Sequence, residues 1–178
     1  IGVIGEGEIT VCALADALEK NLDLAGVNGL IYRENGQLQL TKPRKEISDL
    51  SSIPCPDYEG FGFSDYLDTI SKIPGYNRYV TMISSRSCPF DCTFCYHSSG
   101  KVYRQRSLDD FFLELDFMLS RFRIEHLSIC DELFSINRNR TLDFCERMKD
   151  RVKRYGITFD VQLRVDHVDK ELLELLKS

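Results

Sequence analysis

No stretch of this 178-residue sequence approaches the roughly 20 consecutive apolar residues of a membrane span. Nor does a charged-then-apolar targeting segment open it, since Ile1 begins the strand-like run "IGVI". The expectation is a cytosolic chain with no membrane partner. A surplus of positive charge is also missing. The 23 Lys and Arg are interspersed among 28 Asp and Glu, for a net charge of −5, so no basic face for nucleic acid is visible. The seven cysteines are odd in number and irregularly spaced, which argues against a disulfide framework. A third glycine is absent from "GEGEIT": Gly5-x-Gly7 begins like a dinucleotide loop, but Thr10 stands where the next glycine belongs, and Glu6 and Glu8 would repel a pyrophosphate. What is present is ordinary globular composition, long enough for one domain with an appendage and a core of ordinary size.

The chain is organised in two unequal parts. "IGVI" reads as a buried strand, followed by an amphipathic helix over about residues 9–21 with Ile9, Cys12, Ala13, Leu14, Ala17 and Leu18 as its apolar positions. "LIYRENGQLQL" alternates apolar and polar residues on both sides of Asn35-Gly36, a pair that accepts positive φ, and so predicts a tight hairpin. Residues 41–77 hold four of the five prolines together with Tyr58, Phe61, Phe63 and Tyr66, and lack a sustained period. They read as an ordered linker. From Tyr79 strands and helices alternate: "YVTMIS", then helix "LDDFFLELDFMLSRF", "HLSIC", helix "LDFCERMKDRVKRY", "TFDVQL" and helix "KELLELLK". Such alternation predicts an α/β fold with a parallel sheet. Ser107 and Asp110 approximate a capping box on the first of these helices, and Gly156 is a stop signal for the second.

Three cysteines fall within "CPFDCTFC", directly after the first strand of this region, at the carboxyl edge where parallel α/β folds place their sites. Cys12, Cys130 and Cys145 lie among apolar residues and read as small buried hydrophobes, and Cys55 as a loop residue without a visible partner. Core packing suits Cys88, Cys92 and Cys95 badly, because their surroundings are polar and contain Gly and Pro. A thiol redox pair, Cys92-x2-Cys95, leaves Cys88 unexplained. A closed zinc site with His97 as fourth ligand would make the chain a non-catalytic, zinc-stabilised interaction domain. An iron–sulfur cubane takes one thiolate per iron, so three thiols leave one iron open to a substrate or cofactor, which implies chemistry rather than electron storage.

Cys88, Cys92, Phe94 and Cys95 resemble the signature of the radical S-adenosylmethionine (SAM) superfamily. The resemblance implies a 4Fe-4S cluster held by Cys88, Cys92 and Cys95, with no catalytic residue beyond these ligands. It also implies SAM bound at the open iron with Phe94 beside the adenine, and reductive cleavage of SAM to a 5′-deoxyadenosyl radical. The fold it implies for residues 79–178 is the first half of a partial (βα)6 TIM-like barrel. "CDELF" stands where the family has an acidic segment facing the methionyl amine, which makes Asp131 and Glu132 candidates. Arg164, closing the third strand in "LRVDH", is a candidate carboxylate partner, and Arg104 and Arg106 in "YRQRS" resemble the segment that follows the cluster loop.

Residues 1–77 are similar to the junction of cobalamin-associated members. On that likeness residues 1–25 are the end of a Rossmann-like domain and 26–78 a hairpin and linker. Cobalamin is expected in the full-length parent, although this chain contains no Asp-x-His-x-x-Gly segment. The partners implied are an external one-electron donor of flavodoxin or ferredoxin type and a small-molecule or peptide substrate.

Overall fold

The computed structural model describes residues 1–96 and 100–177; His97, the fourth ligand of the zinc alternative, lies outside them. The fold is mixed α/β and divides into two compact units, one of residues Ile1–Ser48 with Phe90–Lys101, the other of Asp49–Pro89 with Val102–Ser178.

In the first unit, strand β1 (Gly2–Val3) leads to helix α1 (Glu8–Glu19), and strands β2 (Leu30–Glu34) and β3 (Gln37–Leu40) follow. β2 and β3 pair from Ile31↔Leu40 to Glu34↔Gln37, which leaves Asn35-Gly36 as a two-residue turn. Both residues have positive φ, 48° and 79°, the backbone that lets a hairpin keep the strands' natural twist. β1 pairs antiparallel with β2, Gly2 opposite Ile31 and Val3 opposite Leu30. A two-residue strand needs a partner for its backbone groups, and the hairpin edge supplies it. Ala17, Val27, Leu30 and Tyr32 make a small core, with Val3, Ala13, Leu14 and Leu24 against it. Ile9, Val11 and Leu18 of α1 stay exposed. Cys12, expected to be buried, is exposed as well, being one position off the helix stripe that carries Ala13 and Ala17.

The second unit contains a parallel sheet of β4 (Tyr79–Met82), β7 (His126–Ile129) and β8 (Thr158–Val161), in that order. Between β4 and β7 come the short strands β5 (Ser85–Arg86) and β6 (Arg104–Gln105) and helix α3 (Leu108–Arg121); α4 (Arg138–Tyr155) joins β7 to β8, and α5 (Lys170–Lys177) closes the series. Val80, Met82, Leu127 and Ile129 face α3 and α4, whose Phe111, Phe112, Leu115, Phe144 and Met148 complete the core. The alternate positions are polar: His126 bonds Thr158 and Asp160, both at 2.7 Å, and Ser128 donates to Asp160 at 2.9 Å. The strands are apolar on the helix-facing side, and a hydrogen-bonded polar ladder covers the other.

Helix ends follow local chemistry. The Ser107 hydroxyl caps α3 by accepting from the Asp110 N–H at 3.1 Å and donates to its carboxylate at 2.6 Å. Gly156 ends α4 in the left-handed region at φ 66°. α4 begins at Arg138 rather than at Leu142, because the Asn137 side chain accepts from the Arg140 N–H at 3.1 Å and so caps an earlier turn. Helix α2 (Phe63–Thr69) lies in the stretch read as linker. Its Phe63 and Leu67 are buried in the core, and Phe63 packs edge-on against Tyr58 and Phe122 with ring centroids 4.9 and 5.1 Å away.

Candidate functional site

The cysteine loop is tied at its base. β5 and β6 pair antiparallel, Ser85 with Gln105 and Arg86 with Arg104, and the Arg106 N–H donates to the Ser84 carbonyl at 2.9 Å. The chain thus leaves a short ribbon at Arg86 and rejoins it at Arg104, just beyond the carboxyl end of β4. Cys88 and Cys92 are half-buried, Cys95 is exposed, and none of the three is in a disulfide. The Cys95 N–H donates to the Cys92 carbonyl at 3.0 Å, forming a turn within the motif. Phe94 has 90% of its surface exposed. Asp91 and Lys101 form an ion pair in the loop. Among the described residues no three His, Cys, Asp or Glu side chains are gathered as a metal site. The donor chemistry still fits an iron–sulfur cluster: three soft thiols, none tied up in a disulfide, within one short segment.

The acidic pair after β7 divides its roles. Asp131 is fully buried. One carboxylate oxygen accepts from the N–H groups of Ser84 and Ser85 at 2.6 and 2.9 Å, the other from their hydroxyls at 2.6 and 2.7 Å. Four donors saturate it, so it holds the turn after β4 and has no capacity left for a ligand ammonium. Glu132 is only half-buried and is the carboxylate of the pair that remains open to such a role. Arg164 makes the bidentate pairing expected of it, but with Asp166, at 2.7 and 2.8 Å. The same fork holds the Asp166 carboxyl below its usual range.

Arg104 and Arg106 close the loop. Arg104 is buried and donates to the Ser87 hydroxyl at 3.0 Å and the Val102 carbonyl at 3.1 Å. Arg106 pairs with Glu114 of α3, which also accepts from the Tyr58 hydroxyl. The residue that sequence reasoning missed is Arg140. Buried in the first turn of α4, it donates to the Ser84 hydroxyl and carbonyl and to the Arg106 carbonyl, each at 3.3 Å. Burial lowers its pKa from the ordinary guanidinium value. One signal was available: Arg138 and Arg140 sit at a helix amino end, where the dipole disfavours cations and acidic residues are usual.

No family model matches the chain. Its homologues are radical SAM methyltransferases and cobalamin-dependent radical SAM enzymes. The chain is 33% identical over 178 residues to an uncharacterized methyltransferase of Pyrococcus horikoshii, the match covering 99% of this chain and 37% of the relative. It is 28% identical over 186 residues to the anaerobic magnesium-protoporphyrin IX monomethyl ester cyclase of Rubrivivax gelatinosus, covering 99% of the chain and 32% of the cyclase. Among solved structures, the cobalamin-dependent S-adenosylmethionine radical enzyme OxsB, with aqua-cobalamin and S-adenosylmethionine bound, superposes with a TM-score of 0.71 at 26% identity, over 96% of this chain and 25% of OxsB. The chain therefore spans about a third of the length of the curated relatives it matches.

Proposed function

We propose that this chain is part of a radical SAM enzyme of the cobalamin-associated kind, acting by methyl transfer or related radical chemistry. The observation that carries the proposal is the C-x3-C-x2-C loop with Phe94, rooted beyond the carboxyl end of the first strand of a parallel sheet. Cys88, Cys92 and Cys95 would hold a 4Fe-4S cluster and leave one iron without a protein ligand. Bound there, cluster and SAM would supply one-electron reductive chemistry, cleavage of the sulfonium to methionine and a 5′-deoxyadenosyl radical able to take a hydrogen atom from substrate. Phe94, nearly fully exposed, offers a ring face to the adenine. Glu132 takes the methionyl ammonium, a charge-assisted hydrogen bond worth roughly 1.5–3 kcal/mol. Asp166 already occupies the Nε–Nη2 edge of Arg164 and competes with a ligand carboxylate for it. The electron comes from a flavodoxin- or ferredoxin-type donor, and the full-length protein carries cobalamin, as the OxsB structure does.

The test uses the full-length protein, reconstituted anaerobically with iron and sulfide, reduced and supplied with SAM. About four irons per chain and release of 5′-deoxyadenosine are expected, and Cys88→Ala, Cys92→Ala or Cys95→Ala should each abolish both. Retention of zinc that is lost equally in His97→Ala and Cys88→Ala, with no 5′-deoxyadenosine formed, would overturn the proposal in favour of a structural zinc domain.

A further inference from the structure

The segment leading into Cys88 is held by more polar contacts than a turn of its length requires. Ser84 and Ser85 are each almost wholly buried, and each gives both its backbone N–H and its hydroxyl to Asp131. Arg140 also bonds Ser84, through its hydroxyl and its carbonyl. Two residues further on, Ser87 is buried with φ 68°, a conformation a non-glycine residue rarely adopts unless its surroundings impose it. Arg104 supplies such a constraint through the Ser87 hydroxyl. Asp131, Arg140 and Arg104 come from the end of β7, the start of α4 and β6, so three separate elements converge on four consecutive residues, 84–87, that end at the first cysteine of the motif. A buried carboxylate and two buried guanidiniums are costly to desolvate, and a turn serving only to change chain direction does not need them.

We infer that Asp131 is a positioning residue for the cysteine loop: with Arg140 and Arg104 it fixes the direction in which the chain presents Cys88. The anchor matters to catalysis only if the cluster reading holds, but its effect on Cys88 can be measured without a cluster. In the left-handed conformation at Ser87 the chain leaves the ribbon along a course that an extended residue would not give. Release of Ser84 and Ser85 from Asp131 frees that residue to relax, and Cys88 loses its fixed place. Saturation of Asp131 by four donors is what a fixed anchor needs, whereas a ligand-binding carboxylate keeps an acceptor site free.

The experiment uses the full-length protein purified without iron and treated with iodoacetamide, with alkylation followed residue by residue by mass spectrometry. The rate at Cys88 is read against that at Cys145, a core thiol that reports general loosening. In Asp131→Ala the Cys88:Cys145 rate ratio is expected to rise at least about tenfold, the factor that follows when a hydrogen bond to a charged group stops resisting local opening. Ser85→Ala, which removes one of the four donors, should raise it less, and Glu132→Gln should leave it unchanged. An unchanged ratio in Asp131→Ala, or Cys88 and Cys145 accelerating together, overturns the inference. If Asp131→Ala does not fold, Ser85→Ala decides by the same criterion. Wild-type protein that takes up no iron on reconstitution would defeat the cluster reading, while the alkylation ratio would still decide the anchor.

Discussion

At the scale of single residues, Cys145 and the three loop cysteines show how one side chain serves two purposes in one chain. Cys145 is 2% exposed, and burial pushes its thiol up to about 11 from an ordinary 9. The folded state thus keeps a proton that the unfolded chain releases. Its contribution is complete below the unfolded pKa and is lost as pH rises from about 9 through about 11, an amount on the order of 2–3 kcal/mol. Urea midpoints measured across that window should fall steeply in the wild type and less steeply in Cys145→Ala. Tyr58 adds to the alkaline loss in both proteins, because burial and its bond to Glu114 raise its phenol as well. The variant itself should be modestly less stable at neutral pH, since it leaves a small void beside Met148 and Ile157. The loop cysteines carry no comparable packing role: Cys95 is exposed and Cys88 and Cys92 half-buried.

Elements were legible where their signals are local. The Asn35-Gly36 hairpin, the Ser107 cap and the Gly156 stop each depend on residues within a few positions, and each is present. Ser107→Ala should cost about 1 kcal/mol in chemical denaturation, as expected for a lost amino-terminal cap, whereas Ser107→Asp, which retains an acceptor and suits the dipole, should cost much less. Helix α2 is hidden in the sequence because Pro56, Gly60 and Gly62 crowd its amino-terminal approach and only Phe63, Tyr66 and Leu67 carry its period. The start of α4 is hidden because Arg138, Asn139, Arg140 and Thr141 have no apolar rhythm. Asp131 could be picked out from its place after a strand, but its role could not. Its partners lie 46 and 47 residues earlier, and only the parallel pairing of β4 with β7 brings them to it. Arg164 was similar: a bidentate partner was foreseeable, its identity as the local Asp166 was not.

For the whole molecule, unequal cores set unequal stability. The first unit rests on Ala17, Val27, Leu30 and Tyr32, while the second buries Phe111, Phe112, Phe134, Phe144 and many aliphatic neighbours. Hydrogen exchange should therefore be faster in α1 than in α3 or α4; equal protection across the three helices would contradict this. The two units are also interleaved along the chain, the first using residues 1–48 and 90–101 and the second 49–89 and 102–178. For inheritance, this means that neither unit is a cassette. A single recombination event between two diverged homologues, wherever it falls, leaves at least one unit a hybrid of both parents. To exchange one unit while both stay whole takes three junctions at once, after residues 48, 89 and 101. Both units should therefore diversify by substitution rather than by shuffling.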